Sequence, residues 1–494
     1  MSTVMESPER VSLSMRRVAV AIVLCAAALS AGCAAGPDFK QPAPPKVQNY
    51  TAETLPARTI STPGKLGGAQ RFVAQTPTGA LWWQRFDSAQ LDALIEQALR
   101  SSPTLTAARA TLREAEQTYA AQAGATLYPQ ATGKLGAQRQ TFSPSTQGLS
   151  GNGRTFNLYN ASVNVSYNLD LSGGTRRMLE ALAAQTDYQR IELEGARLTL
   201  EANVVTAAVS AAELSAQIAA TERILAAQSE QLDLTRRRLA LGNVSEIDVL
   251  SLETQVAQTR ASIVPLRNRL EESRHLLAVL LGRPPGEAAV PSLTLADFTL
   301  PAELPLRVPS ELVRQRPDIL ASEALLHVAS AQYGVALSRL YPQLTLTGNL
   351  GSQALTSAAL FGAHSMIWGV AGQLVQPLFN PGLRPAARAS EAAFDAAAAN
   401  YRETVLLALG NVADVLRALQ NDAQALQAQA AADASAQRSL YLVSEQYRLG
   451  VATYLQLLIA QQQAQQARIS LIAAQAQRLA DTAAFYQAMG GGSP

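Results

Sequence analysis

A helix break that occurs twice, 208 residues apart, is the strongest constraint on how this chain can fold, because it demands two copies of one long helical unit. "LALGNVSEIDVLSLE" at 239–253 is echoed by "YRLGVATYLQLLIAQ" at 447–461. In each, a glycine (Gly242, Gly450) interrupts the helical pattern and a small polar residue (Ser245, Thr453) follows three places on. Glycine supplies the left-handed backbone that ends a helix, and the hydroxyl caps the next one. Other phrases repeat in the same order: "LYPQATGKLG" (127–136) with "LYPQLTLTGNLG" (340–351), and "YNLDLSGG" (167–174) with "VQPLFNPG" (375–382). The copies span roughly residues 90–282 and 304–490, joined by a proline-rich linker at 283–303.

Each copy reads as helix, strand, loop, strand and then a long helical hairpin. The first helix is expected to begin near Leu91 in one copy and Ser310 in the other. "YPQ" ends it, because proline disfavours helix at the residue before it. In the second strand of the first copy, Val163, Val165, Tyr167, Leu169 and Leu171 alternate with Asn164, Ser166, Asn168 and Asp170. An apolar-out, polar-in strand suits a membrane β-barrel, and the same alternation also occurs in amphipathic strands of soluble sheets. From Gly174 to Leu241 only Gly195 interrupts the helical pattern. Beyond Gly242, Val249, Leu252, Val256, Thr259, Ile263, Leu266, Leu270, Ser273, Leu277 and Leu280 follow the heptad spacing of a coiled coil. Pro265 is expected to kink this helix locally.

In the second copy Leu455, Leu458, Ile469, Ile472, Ala476 and Leu479 form one stripe with Gln462 and Gln465. Leu457, Ala460, Ala464, Ala467, Leu471 and Ala474 form another beside it. Two apolar stripes require neighbours on two sides, as in a closed ring of helices. About 65 helical residues would reach ~100 Å at ~1.5 Å each, more than any globular domain needs.

A formal charge of +2 implies no basic surface for nucleic acid. With 48% hydrophobic residues the chain is no candidate for disorder, while 5% aromatics is thin for a large compact core. No catalytic motif is legible. His275, His327 and His364 are scattered, and paired His or Cys spacings, G-x-S-x-G and a P-loop are all missing. Neither a metal nor a cofactor is expected, and the scarcity of methionine weakens a copper-export reading. Arg236, Arg237 and Arg238 read as a solvated helix face near the first glycine break.

At the N-terminus Arg16 and Arg17 precede an apolar run from Val18 to Leu29, so residues 1–32 read as a signal peptide, with Met15 a candidate for the true start. The run ends in "LSAGC", which resembles a bacterial lipobox and implies cleavage before Cys33 and lipidation there, leaving residues 33–89 as an N-terminal lipidated segment. Ala34 in place of an aspartate favours the outer membrane. No later segment offers ~20 uninterrupted apolar residues, so no transmembrane helix is expected in the mature chain. A single acyl chain holds a membrane only marginally, and something other than a helix must add to it.

Only four strands are readable, two per copy. A bilayer tolerates no open sheet edge and the smallest membrane barrels have about eight strands, so a barrel here demands several chains. The order of elements, twice over, resembles the TolC-like outer-membrane factors, nearest to their lipoprotein (NodT-like) branch serving RND-type drug efflux. The phrases that carry the resemblance are "GPDFKQP", "LWWQRFDSAQLDALIEQAL" (81–99), "LLAVLLGRPPGE" (276–287), "LPLRVPSELVRQRPDILASEALL" (304–326), "LYPQLTLTGNLG" and "QPLFNPG".

The resemblance implies a mostly α fold with a small β part: a homotrimer whose four strands per chain make a 12-stranded transmembrane β-barrel in outer-membrane lipid, continued by an α-barrel in the periplasm. It implies a passive exit duct for small molecules, with a periplasmic adaptor and an inner-membrane RND-type pump as partners. The tips Leu241, Gly242, Asn243, Val244, Ser245 and Leu449, Gly450, Val451, Ala452, Thr453 would meet the adaptor. Relatives often narrow the channel with aspartates just above. Here the matching positions are Gln456 and Ile459, beside Leu455, and only the first copy has an acid, Asp248. An apolar periplasmic constriction is therefore expected, closing by dewetting. Two rivals stand beside this reading: the outer-membrane duct of a type I secretion system, and a poreless lipid-anchored coiled-coil scaffold.

Overall fold

A computed structural model describes residues 34–53, 56–74, 79–143, 148, 150, 152–287 and 290–491. The expected signal peptide and Cys33 lie outside the described residues. The elements run β1 (Arg71–Ala74), a 3-10 turn (Trp82–Phe86), α1 (Ala89–Ser101), α2 (Pro103–Leu127), β2 (Gln130–Phe142), β3 (Arg154–Leu169), α3 (Gly174–Ala240) and α4 (Glu246–Leu280). They continue as β4 (Glu303–Leu306), α5 (Pro309–Leu312), α6 (Pro317–Ser338), β5 (Gln343–Ala354), β6 (Met366–Val375), α7 (Leu383–Arg448) and α8 (Tyr454–Ala488).

The single helix expected ahead of each "YPQ" is split in both copies, and proline is the cause. Pro103 and Pro317 each start a helix, because proline has no N–H to leave unsatisfied there and forces the preceding residue out of helical geometry. Ser102 accordingly has φ −60° and ψ 124°. The expected kink site, Pro265, lies inside an unbroken α4.

The chain divides into two compact units. One gathers the described N-terminus through Gln41, Leu112–Gln189 and Ser322–Tyr401; the other gathers Pro42–Thr111, Arg190–Ala321 and the chain from Arg402.

The first unit holds a four-stranded antiparallel sheet in the order β2-β3-β5-β6. Its register runs without a bulge, so side-chain parity is kept along every strand. One face carries Leu135, Val163, Val165, Leu346, Leu350, Met366, Trp368, Val370 and Leu374, all exposed. The opposite face carries Thr132, Lys134, Asn160, Asn164, Ser166, Asn168, Thr345, Thr347, Asn349, Gln353 and Gln373. The apolar face extends on β3 from Tyr159 to Leu169, where the strand ends; Leu171 lies beyond it. At ~3.3 Å per residue and a tilt near 40°, that run is ~25 Å tall, the height of a barrel's lipid band. Tyr128 and Tyr341, ahead of β2 and β5, are exposed at the end of the sheet where the helices join.

The second unit holds the packed core and a two-stranded parallel sheet, β1 with β4. Trp82, Trp83 and Phe86 of the "LWWQRF" turn are fully buried, with Trp82 stacked on Tyr486 at 5.4 Å. The Trp82 indole donates to Glu201 at 2.9 Å, and Arg197 donates to the other carboxylate oxygen at 3.0 Å. Arg316 of "RPDI" pairs with Asp318 and donates to the Ala488 carbonyl at the end of α8. The "LWWQRF" and "RPDI" phrases are thus both joints of this unit.

The heptad row of α4 is the row that packs: Val249, Leu252, Val256, Thr259, Ile263, Leu270, Ser273 and Leu277 are buried. In α8 the outcome differs from expectation. Near the break the buried row is Leu457, Ala460 and Ala464, and further on it is Ile472, Ala476, Leu479 and Ala483, while Leu455 is exposed. The two rows meet different neighbours: Ile472, Ala476, Leu479 and Ala483 belong to the main core cluster, and Leu457, Ala460 and Ala464 do not. α3 contains an 18-residue window of mean hydropathy 1.3, but 61% of it is buried in the protein, as in a core helix.

Candidate functional site

The two glycine breaks are built alike. Gly242 and Gly450 have φ of 74° and 77°. Each break closes with backbone bonds of Schellman type: Asn243 to the Arg238 carbonyl and Gly242 to Leu239, Val451 to Gln446 and Gly450 to Tyr447. Ser245 and Thr453 then cap the next helices, with Asp248 and Gln456 completing capping boxes. Gln456 is therefore engaged: its Oε1 accepts from the Thr453 N–H at 2.7 Å. Asp248 is engaged in the same way, through Oδ2.

The structure brings the two breaks together. Tyr454 packs against the cluster of Leu232, Val249, Leu252 and Val256, and Gln462 donates to Gln255. Arg238 lies 5.9 Å above the Tyr447 ring, and Arg236 pairs with Glu253 at 2.7 Å. The arginine cluster is thus only partly the solvated face that was expected, since two of its members link neighbouring helices. Burial raises the Tyr454 phenol to about 12, with Tyr447 and Asp248 adding to the shift. Of the tip residues, Leu241, Leu449 and Val451 are strongly exposed, as are Ile247 and Leu250 beyond them. Of the expected constriction, Leu455 is 63% and Ile459 44% exposed, on the side of α8 away from its buried row.

Two buried charge clusters escaped the sequence reading. In the second unit Arg478, 1% exposed, donates to the Leu66 and Gly68 carbonyls at 3.0 Å and to Gln70 at 3.3 Å. It ties the segment ahead of β1 onto α8. Nearby, burial and then Asp481 push the Asp422 carboxyl up to about 8. A signal was present: Arg478 continues the stripe of Leu471 and Ala474 by one further helical step. In the first unit Arg177 donates to Asp38 at 2.6 Å, to Glu180 at 2.7 Å and to the Ala35 carbonyl at 3.2 Å. His327 meets Glu180 at 2.8 Å and stacks on Phe39 at 4.2 Å. Burial pulls Glu180 upward, but the bonds from His327 and Arg177 outweigh it and hold the carboxyl below its usual range. These contacts fix the "GPDF" segment, and Ala35 donates to the Ser172 carbonyl just past β3. Among the described residues no cluster of His, Cys, Asp and Glu could hold a metal ion.

The sequence model for outer membrane efflux proteins matches residues 94–283 and 308–491. The chain belongs to the outer membrane efflux protein family. It is similar to the pyoverdine export outer membrane protein OpmQ of Pseudomonas putida, 31% identical over 89% of this chain and 95% of that one. It is also similar to the probable efflux pump outer membrane protein TtgC of the same species, 30% identical over 93% of each chain. Among solved structures, that of the outer-membrane channel OprN superposes with a TM-score of 0.84 at 28% identity, covering 93% of this chain and 99% of that one. This efflux family member is thus an outer-membrane channel of TolC-like fold, long helices combined with strands of a membrane barrel. The apolar face of its sheet is the face suited to lipid and the polar face the one suited to the lumen.

Proposed function

We propose that three copies of this chain close a 12-stranded barrel and form the passive exit duct of a tripartite efflux system. One observation carries the reading: a two-faced sheet whose outer strands, β2 and β6, have no partner on their far sides among the described residues. An open edge in lipid leaves backbone groups unsatisfied at several kcal/mol each, so edge must meet edge in a closed ring. The polar face then lines the pore. The two repeats, 90–282 and 304–490, each supply two strands and one hairpin to the ring.

The paired tips 241–245 and 449–453 form the periplasmic end and receive the hairpin ends of an adaptor, with an inner-membrane RND-type pump behind it supplying the energy. Leu455 and Ile459 narrow the lumen there, and Gln456 holds the turn that presents them. Cargo is small molecules, and the duct performs no chemistry on them. Cys33 carries the lipid anchor. The position of the next described residues supports this, since Ala35 is bonded at the foot of β3, just beyond the apolar band.

Planar-bilayer conductance of the purified protein tests the duct. Small flickering steps that enlarge when an adaptor is added are expected; a folded protein that stays silent under every condition would leave the scaffold reading standing. Mass spectrometry of the mature N-terminus checks Cys33, where an unmodified cysteine overturns the anchor.

A further inference from the structure

We propose that the barrel lumen is electropositive and favours anionic cargo, with Lys134 the residue that sets its sign. This rests on the barrel reading above. None of the four strands contains an aspartate or glutamate, and their only charged residues are Lys134, Arg139 and Arg154. The register places Lys134, opposite Ser162, on the polar face. Arg154 is on the same face at the loop end, and Arg139, opposite Asn157, is on the other. Asp170, just past β3, is committed elsewhere: its two carboxylate oxygens accept from the Thr175 and Arg176 N–H groups. No carboxylate of the sheet is therefore available to neutralise Lys134.

The neighbours of Lys134 keep low. Ser162 faces Gly351, whose missing Cβ would collide with it. Asn160 covers Gly136, and Asn349 covers Gly369, so these amides lie across the strands where a side chain is absent. The lysine is left as the long side chain of its row, which continues through Ser162 and Gly351 to Ile367.

Geometry decides whether one lysine per chain matters. Twelve strands ~4.8 Å apart and tilted ~40° close a ring of backbone radius ~12 Å. A lysine's four-carbon stem carries its ammonium about 6 Å inward. Three such charges then stand nearer the axis than the ~8 Å Debye length at physiological salt, so no part of the cross-section escapes them. At the glycine breaks, Gln456 and Ile459 are uncharged and Asp248 is engaged in its capping box, so no acid at these positions opposes the lysines. The ligand class is small organic anions: carboxylates, phosphates and sulfate esters.

Thiol accessibility reads the local potential without opening the periplasmic end. Thr132→Cys lies two residues from Lys134 on the same face. In membrane-inserted protein it is expected to react faster with an anionic than with a cationic methanethiosulfonate of similar size. Lys134→Gln should lower that rate ratio about five-fold, and Lys134→Arg should preserve it, as expected for surface potentials of a few kT. A ratio unmoved by Lys134→Gln overturns the proposal while leaving the barrel intact. Val163→Cys, on the opposite face, should be inert to both reagents. If it reacts as fast as Thr132→Cys, the barrel reading itself fails.

Discussion

Arg478 is a guanidinium sealed inside a row of alanine and leucine, and its bonds are to carbonyls of the segment ahead of β1. The charge it answers is weakened. Asp422 is raised to about 8 by burial and by Asp481, and only Arg478 opposes the shift. A carboxyl whose folded pKa exceeds its unfolded value contributes stability that is fully present below ~4 and lost as pH rises through about 8. Asp422→Asn should flatten the fall in melting temperature between pH 5 and 8, measured by thermal unfolding across that range; an unchanged slope would show that Asp422 does not bind the proton. Ile459 poses a different question at the same scale. Ile459→Asp should raise cation selectivity in bilayer reversal potentials if the side chain faces the lumen, and no change would remove it from the constriction.

At the scale of elements, glycine ends the hairpin helices at matching places in both copies. Gly282 and Gly490, also 208 positions apart, have φ of 70° and 82° after α4 and α8. Their surroundings differ from those of the breaks. An added Cβ at Gly242 meets nothing within 4 Å, whereas at Gly282 it would run into the Ser101 carbonyl. Gly242→Ala should therefore cost only the left-handed backbone penalty, ~1–2 kcal/mol. Gly282→Ala adds a backbone clash that no rotamer relieves and should cost more than ~3 kcal/mol. Denaturant midpoints of the two variants check the order, and equal losses would contradict it.

Across the whole molecule, the sheet's parity sets its orientation in the membrane. Val370 and Ala371 are neighbours on β6 with opposite faces, the first opposite Gly348 on the apolar side and the second opposite Thr347 on the polar side. Val370→Lys should weaken the inserted protein by ~2–4 kcal/mol if it meets the bilayer midplane, while Ala371→Lys should be tolerated. Urea midpoints in detergent or lipid separate the two, and the reverse ranking would turn the sheet inside out.

Much of this was legible along the chain. The repeat, the two glycine breaks with their caps and the heptad row of α4 depend on residues close in sequence, where backbone preference and helical spacing act locally. The alternation of β3 was visible for the same reason. The proline-split first helices were legible in principle, since Pro103 and Pro317 sit at helix starts in both copies.

Only the tertiary structure could decide the rest. Whether Leu455 or Leu457 is buried depends on which side of α8 the fold sets against its neighbours. Which strand face carries Lys134 follows from the pairing of β2 with β3. Glu180 apart, the partners of Arg177 and those of Arg478 come from segments over a hundred residues away, brought close by the fold. Periodicity records which residues share a face; only packing determines what that face meets.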